Sequence, residues 1–404
     1  MNRPEPGIAT GLALWAALAF AATALSGCAS LGYYWQSVSG HLELMRAARP
    51  VDEWLADPKA EALLKQRLLL ARQLREFAVT QLQLPDGPSY RRYADIGRPY
   101  VVWNLVAAPE LSLNPATWCF PVAGCVAYRG YFREADARAF AASQREAGLE
   151  VHIYGVPAYS TLGKLDWAGG DPLLSSFLNQ GESDLARLLF HEMAHQVAYA
   201  KDDTRFNESF ATAVERIGLR QWQAHRASEP TGAGIEVAQR LVLDALAETR
   251  RTEFRALAWE VRANLVKVYA ALPTEPSSPT APTRAGSPDG AVQGAEQARE
   301  AKRMAMQSMR QRYEQLRAQW LQSAAQAAPD SALAQPASLL GYDRWMQGAN
   351  NAALAAMASY DAWVPAFERL FEREGRDWRR FHAAVRALAA MPKEQREAAL
   401  RALL

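Results

Sequence analysis

SDLARLLFHEMAHQVAYAKDDTRFNESFATAVERIGLRQWQ, from Ser183 to Gln223, is the stretch that decides how this chain folds. Ser183 offers a helix N-cap and Asp184 an acidic first turn, and apolar residues then recur at three- and four-residue steps. Lys201-Asp202-Asp203-Thr204 interrupts the pattern, and RFNESFATAVERIGLRQWQ resumes it. The spacing predicts two helices joined by a short turn. Inside the first lies His191-Glu192-Met193-Ala194-His195. Residues four apart leave an α-helix from nearly the same face, so both imidazoles can reach a single Zn2+. Glu192, next to the first imidazole, is placed to act as general base on the attacking water.

A catalytic zinc needs a third protein ligand and an open position. One class of zinc peptidase continues the motif with Gly and His where this chain has Ala198 and Lys201, so that class is excluded. Glu208, in Asn207-Glu208-Ser209-Phe210-Ala211, is the expected third ligand. With His195 about five residues before the first helix ends and Glu208 about four after the second begins, the two sit at similar heights in an antiparallel hairpin. Helix axes about 8–10 Å apart would let the side chains converge. Asp202 and Asp203 in the turn are rival ligands, but a helix-borne ligand is better fixed. Glu215, two turns beyond Glu208, reads as a solvated carboxylate, with orientation of a ligand histidine as its alternative role. A donor to the tetrahedral oxyanion is expected among Tyr128, Tyr154, Tyr159, Tyr199 and Tyr360, without a choice between them. His41, His152, His225 and His382 are isolated and read as surface or satisfied core residues.

The N-terminus carries a second signal. Arg3 precedes an uncharged run from Leu12 to Leu25, too short for a comfortable membrane span and suited to a signal peptide. Leu25-Ser26-Gly27-Cys28 then matches the bacterial lipobox, with Cys28 as the lipidated residue after removal of residues 1–27. Ala29 in the next position fits sorting to the outer membrane. The expectation is an envelope protein tethered by lipid alone and facing the periplasm; an ordinary cleaved signal is the alternative. Cys119 and Cys125 are the other cysteines. An oxidising periplasm permits a disulfide between them, against two buried thiols or two metal ligands.

The chain has 404 residues, half of them apolar, and 45 Lys and Arg against 43 Asp and Glu. That balance, with no dense basic block, excludes nucleic acid as a partner. Residues 33–84 are helical in pattern. VVWNLVAA, CVAYRGYF and VHIYGV, between Tyr100 and Val156, predict strands of a small mixed sheet, with a helix from about Arg133 to Gly148. VHIYGV reads as a core strand or as an edge strand for an extended peptide. Residues 28–272 would form the core with its N-terminal helices. Residues 273–297 lack large apolar side chains and are expected to be disordered, and 298–404 form a helical C-terminal region packed on the core.

The order of GCASLGYYWQSVSGHLELM, CFPVAGCVAYRGYF, YSTLGKLDW, LLFHEMAHQ, FNESFATAVE and NNAALAAMASYDAWVPAF resembles the family of bacterial zincin-like aminopeptidases found as envelope lipoproteins. The resemblance runs from Cys28 to about Leu272 and again from about Gly341 onward. It implies a zincin fold and peptidase activity. The GxMEN-type segment that binds a free α-amine in the best-known zinc aminopeptidases is absent here. The fold expected is α+β and mainly helical, with a zincin-like core, the HExxH helix, a Glu-bearing helix and helical C-terminal region. The function expected is zinc-dependent hydrolysis of peptides or unfolded proteins. A non-catalytic peptide-binding lipoprotein and a hydrolase of non-peptide amides are the alternatives.

Overall fold

The computed structural model describes residues 33, 36, 38–120, 124–158, 169–228, 234–272, 288–361 and 363–404, without the side chains of 234–238, 288–291 and 359–361. The signal segment 1–27, Cys28, Tyr159 and the side chain of Tyr360 lie outside the described residues. The remainder is mainly helical with small sheets, as expected.

After a helical segment at 38–47, β1 (Arg49–Pro50), α1 (Val51–Ala56), α2 (Ala62–Thr80) and β2 (Arg92–Ala94) lead into β3 (Val102–Pro109). β4 (Trp118–Phe120), β5 (Gly124–Val126), β6 (Arg129–Tyr131), α3 (Glu134–Glu146) and β7 (Leu149–Val156) follow. Then come β8 (Leu173–Leu174), α4 (Ser175–Leu178), α5 (Glu182–Ala194), α6 (Thr204–Ser228) and α7 (Gly234–Ala270). The C-terminal part holds α8 (Pro288–Ala327), α9 (Leu340–Gln347), α10 (Asn351–Asp361), α11 (Val364–Arg373), α12 (Trp378–Ala389) and α13 (Lys393–Arg401).

The single mixed sheet expected from the sequence is divided. β6-β3-β7 is entirely antiparallel, β4-β5 is a separate hairpin, and β1-β2-β8 joins an antiparallel to a parallel pair. Strands of two or three residues carry too little alternation to be read from sequence. The stretch CVAYRGYF is not one strand: the chain leaves the ladder at Ala127-Tyr128, between β5 and β6. Alternation on β3 and β7 sends Leu105, Ala107, Val151 and Ile153 toward Phe140 and Ala141 of α3, and Val106, Ala108 and Tyr154 toward Ala352 and Ala356 of α10. β7 is an edge strand among the described residues, and Asn350 Nδ2 donates to Val151 O at 3.1 Å on that edge.

The main core lies between α2, α5, α6, α11 and α12. α5 places Leu185, Ala186, Leu189, Phe190, Met193 and Ala194 in it, on the periodic stripe that its sequence shows. Full burial of a side chain such as Phe190 stabilises the fold by about 1.5–3 kcal/mol. α6 crosses α5 closely at Gly218, where a Cβ would come 2.7 Å from Leu82 Cδ1 and 2.9 Å from Phe190 Cδ2. α7 and α8 form a long helical pair with its own core around Phe254, Leu257, Met309 and Tyr313. Of the segment expected to be disordered, residues from Pro288 onward are already helical, as the start of α8.

Candidate metal centre

α5 ends earlier than the periodicity suggests. Its last helical residue is Ala194, His195 is the C-cap, and a turn carries the chain away. The N-cap is Gly181, and the Ser183 hydroxyl donates instead to Asp244 Oδ2 at 2.5 Å. α6 begins at Thr204, so Glu208 stands on its second turn and His195 at the very end of the preceding helix. The first helix is thus several residues shorter than the spacing predicts. Convergence survives because the turn at 195–203 is compact.

That turn is bonded in three directions. Asn207 closes it on itself, accepting from Ala200 N at 2.8 Å and donating to Ala200 O at 2.9 Å. Asp203 accepts from Phe206 N at 3.1 Å as a helix cap, and its other oxygen is paired with Arg396 at 2.8 Å, both side chains buried. Asp202 accepts the N–H of Cys125 at 2.6 Å. Both turn carboxylates thus have protein partners, and neither belongs to the ligand group.

His191, His195 and Glu208 do form such a group: one ligand atom from each lies within 4.8 Å of the others. His191 Nε2 is 3.3 Å and His195 Nε2 3.8 Å from Glu208 Oε2, and the rings stand at 82° to one another. Two imidazole nitrogens and one carboxylate oxygen are a fitting donor set for a transition metal with an open position. Among the described residues this is the one such group.

The sequence reading of Glu215 needs correction. Its Oε2 lies 3.3 Å from His191 Nδ1, its other oxygen accepts from Arg187 at 3.1 Å, and its side chain is only 15 % exposed. It is a largely buried partner of His191, fixing the ring so that Nε2 faces Glu208. Burial alone would raise the Glu215 carboxyl, but His191 and Arg187 outweigh it and hold it down at about 2. His191 itself is driven well above its ordinary value: burial opposes this, and the bonds to Glu208 and Glu215 overcome it. Burial pushes His195 down to about 4, and its Nδ1 has no partner among the described residues. Burial likewise lifts Glu192 to about 7, opposed by His191 and reinforced by Glu208 and Asp171.

Several neighbours of Glu192 were not singled out from the sequence. Ser89 Oγ accepts from Gln196 Nε2 at 3.0 Å and from Asp171 N at 3.1 Å, which ties the end of the HExxH segment to two distant loops. Tyr90 is buried with φ +64°, and its N–H donates to Asp171 O at 2.6 Å. Burial first, then the charges of Glu192 and Asp171, raise its phenol well above the ordinary value. Gly169-Gly170 before Asp171 is the only visible sequence signal for this cluster; nothing marks Tyr90.

Of the tyrosine candidates, Tyr128 and Tyr199 are near enough to Glu208 for its charge to act on their phenols. Burial raises the Tyr128 phenol far above 10, followed by Glu208, Tyr154, Tyr199 and Glu192, so it stays protonated. Tyr199 is raised by burial, Glu208 and Asp202. Tyr154 is one step further out, accepting from Asn104 Nδ2 at 3.4 Å. Cys119 and Cys125 are disulfide-bonded across the β4–β5 hairpin. The C-terminal region packs on the Glu208 helix, where Trp363 N donates to Ser209 Oγ at 3.1 Å.

The chain belongs to the family described as Putative aminopeptidase, which matches residues 32–400. That match covers the HExxH helix, the Glu208 helix, the sheets and the C-terminal helices together. No curated protein and no solved structure matches the chain. The family's description names a peptidase.

Proposed function

We propose that the protein is a zinc-dependent peptidase with a zincin-like core, in which His191, His195 and Glu208 hold the metal and Glu192 is the general base. The observation that carries this reading is the convergence of those three donors within 4.8 Å, with the half-buried Glu192 carboxylate on the helix that bears the two histidines. Zinc, when bound, would polarise the scissile carbonyl and acidify the attacking water. Glu192 accepts the proton from that water and delivers it to the departing amine. Tyr128, protonated and partly buried beside Glu208, donates to the oxyanion of the tetrahedral intermediate. Glu215 holds His191 in the tautomer with its proton on Nδ1, which turns Nε2 toward Glu208.

The N-terminal reading is part of the proposal: Cys28 carries the lipid, and the body faces the periplasm from the outer membrane. An oxidising compartment is supported by the Cys119–Cys125 bond. Among the described residues no helix is long and apolar enough to cross a membrane.

The test compares wild type with Glu192→Gln, measuring bound zinc by elemental analysis and digesting a peptide library read by mass spectrometry. One zinc in both proteins and cleavage by wild type alone is the expected result. Zinc in both with cleavage in neither would replace the peptidase by a binding scaffold or a non-peptide amidase. No zinc in either would sink the ligand assignment.

A further inference from the structure

We propose that Asp202 is a positioning residue that fastens the disulfide-closed hairpin onto the metal-ligand turn and thereby sets Tyr128 over the centre. The hairpin is small: β4 and β5 pair with Cys119 opposite Cys125, and the disulfide closes the same rung. A two-stranded hairpin of this size has no independent stability and takes its place from what it is docked on. Its dock is Asp202. The carboxylate accepts Cys125 N–H at 2.6 Å, and Gly124, at φ +76°, lies so close that a Cβ there would collide with Asp202 Oδ1. Asp202 itself sits at φ +63°, a conformation costly for a residue with a side chain and retained where the surroundings impose it.

Both ends of this link lead to the centre. On one side, Asn207 locks Ala200 to the first turns of α6, immediately before Glu208. On the other, the chain runs from Cys125 through buried Val126 to Tyr128, which leaves the ladder between β5 and β6. The hydrogen bond at Asp202 is therefore the short path by which the ligand helix and the tyrosine are held in one register. This rests on the peptidase reading for its catalytic consequence, and on geometry alone for the link.

The experiment uses the zinc-loaded full-length chain in detergent. Asp202→Ala, Cys119→Ser/Cys125→Ser, and the combination should each lower kcat about tenfold, the scale of one charge-assisted hydrogen bond. KM and zinc content should stay near wild type, and melting temperature should fall by no more than about 3 °C, the scale of one short-loop disulfide in a chain of this size. The combined variant should be no slower than either parent, because both cut the same path. Asp202→Asn should recover most of kcat, since its amide oxygen still accepts from Cys125. Unchanged kcat in Asp202→Ala, multiplying losses in the combination, or a loss that follows melting temperature or zinc content would overturn the proposal. A second readout does not need turnover: the rate at which TCEP reduces Cys119–Cys125. Zinc should slow it in wild type and not in Asp202→Ala, by reciprocity between the two sites. If wild type cleaves no peptide while zinc still protects the disulfide through Asp202, the peptidase reading falls and the link stands. Equal protection by zinc in both proteins, or none in wild type, refutes the link itself.

Discussion

Replacing Glu215 tests the centre without touching a ligand or the base. Its carboxylate lies 3.3 Å from His191 Nδ1 and 3.1 Å from an Arg187 nitrogen, with the side chain 15 % exposed. Partners that orient a ligand histidine in this way typically change metal affinity by about 10–100-fold, or about 1.4–2.7 kcal/mol. Glu215→Gln keeps an oxygen toward the ring and removes the charge, so about a tenfold weaker zinc Kd is expected. Glu215→Ala also leaves His191 Nδ1 and one side of Arg187 without that partner, and should approach a hundredfold. The assay is zinc competition against a chromophoric chelator at neutral pH, with circular dichroism confirming the fold. The metal-free protein gives an independent check on sign. Glu215 is held at about 2, below the ordinary carboxyl value of about 4.3. Its stabilisation is therefore fully present above about pH 4.3 and is lost as pH falls through about 2. Glu215→Gln should remove that acid-labile part and leave the rest of the pH profile alone. Zinc affinity of Glu215→Ala within twofold of wild type would refute the argument.

Arg396→Ala should cost about 3–5 kcal/mol, because it strands Asp203 in a pair whose side chains are only 4 % and 3 % exposed. Scaled to about 400 residues that is a fall in Tm of about 4–6 °C by calorimetry; a fall under about 1 °C would mean that the pair is not buried in solution. His382 in α12 is pushed down to about 4, first by burial and then by Arg386. Its contribution is fully present above about pH 6.5 and is lost as pH falls toward 4, so His382→Phe should flatten Tm against pH in that window. An unchanged slope would remove His382 from the acid sensitivity. Gly218→Ala, which helix propensity alone would make stabilising by about 1 kcal/mol, should destabilise in urea titrations, since its Cβ would stand 2.7 Å from Leu82. A raised midpoint would show that α5 and α6 can separate without loss.

The sequence disclosed the site better than its surroundings, and the physical reasons differ by element. HExxH on a periodic apolar stripe is local information, because i and i+4 share a face whatever the rest of the chain does. Glu208 was reachable by hairpin geometry, although the real helix stops at His195 and not several residues later. A helix end is set by capping and by what the following turn can bond, here Asn207, Asp203–Arg396 and Asp202–Cys125. Arg396 and Cys125 lie far off in sequence, so no local pattern could announce them. The same holds for Glu215, whose charge reads as solvent-facing until Arg187 and His191 are seen beside it. Tyr90 and Ser89 reach Asp171 and Gln196 across loops that carry no periodicity at all. What the local pattern left out is thus polar contact between segments: Glu215 with His191 and Arg187 across the helix pair, and Arg396 and Cys125 at the turn between the two helices. Those contacts hold His195 and Glu208 at a distance one ion can bridge, which makes the turn, and not either helix, the part of the fold on which the proposed chemistry depends.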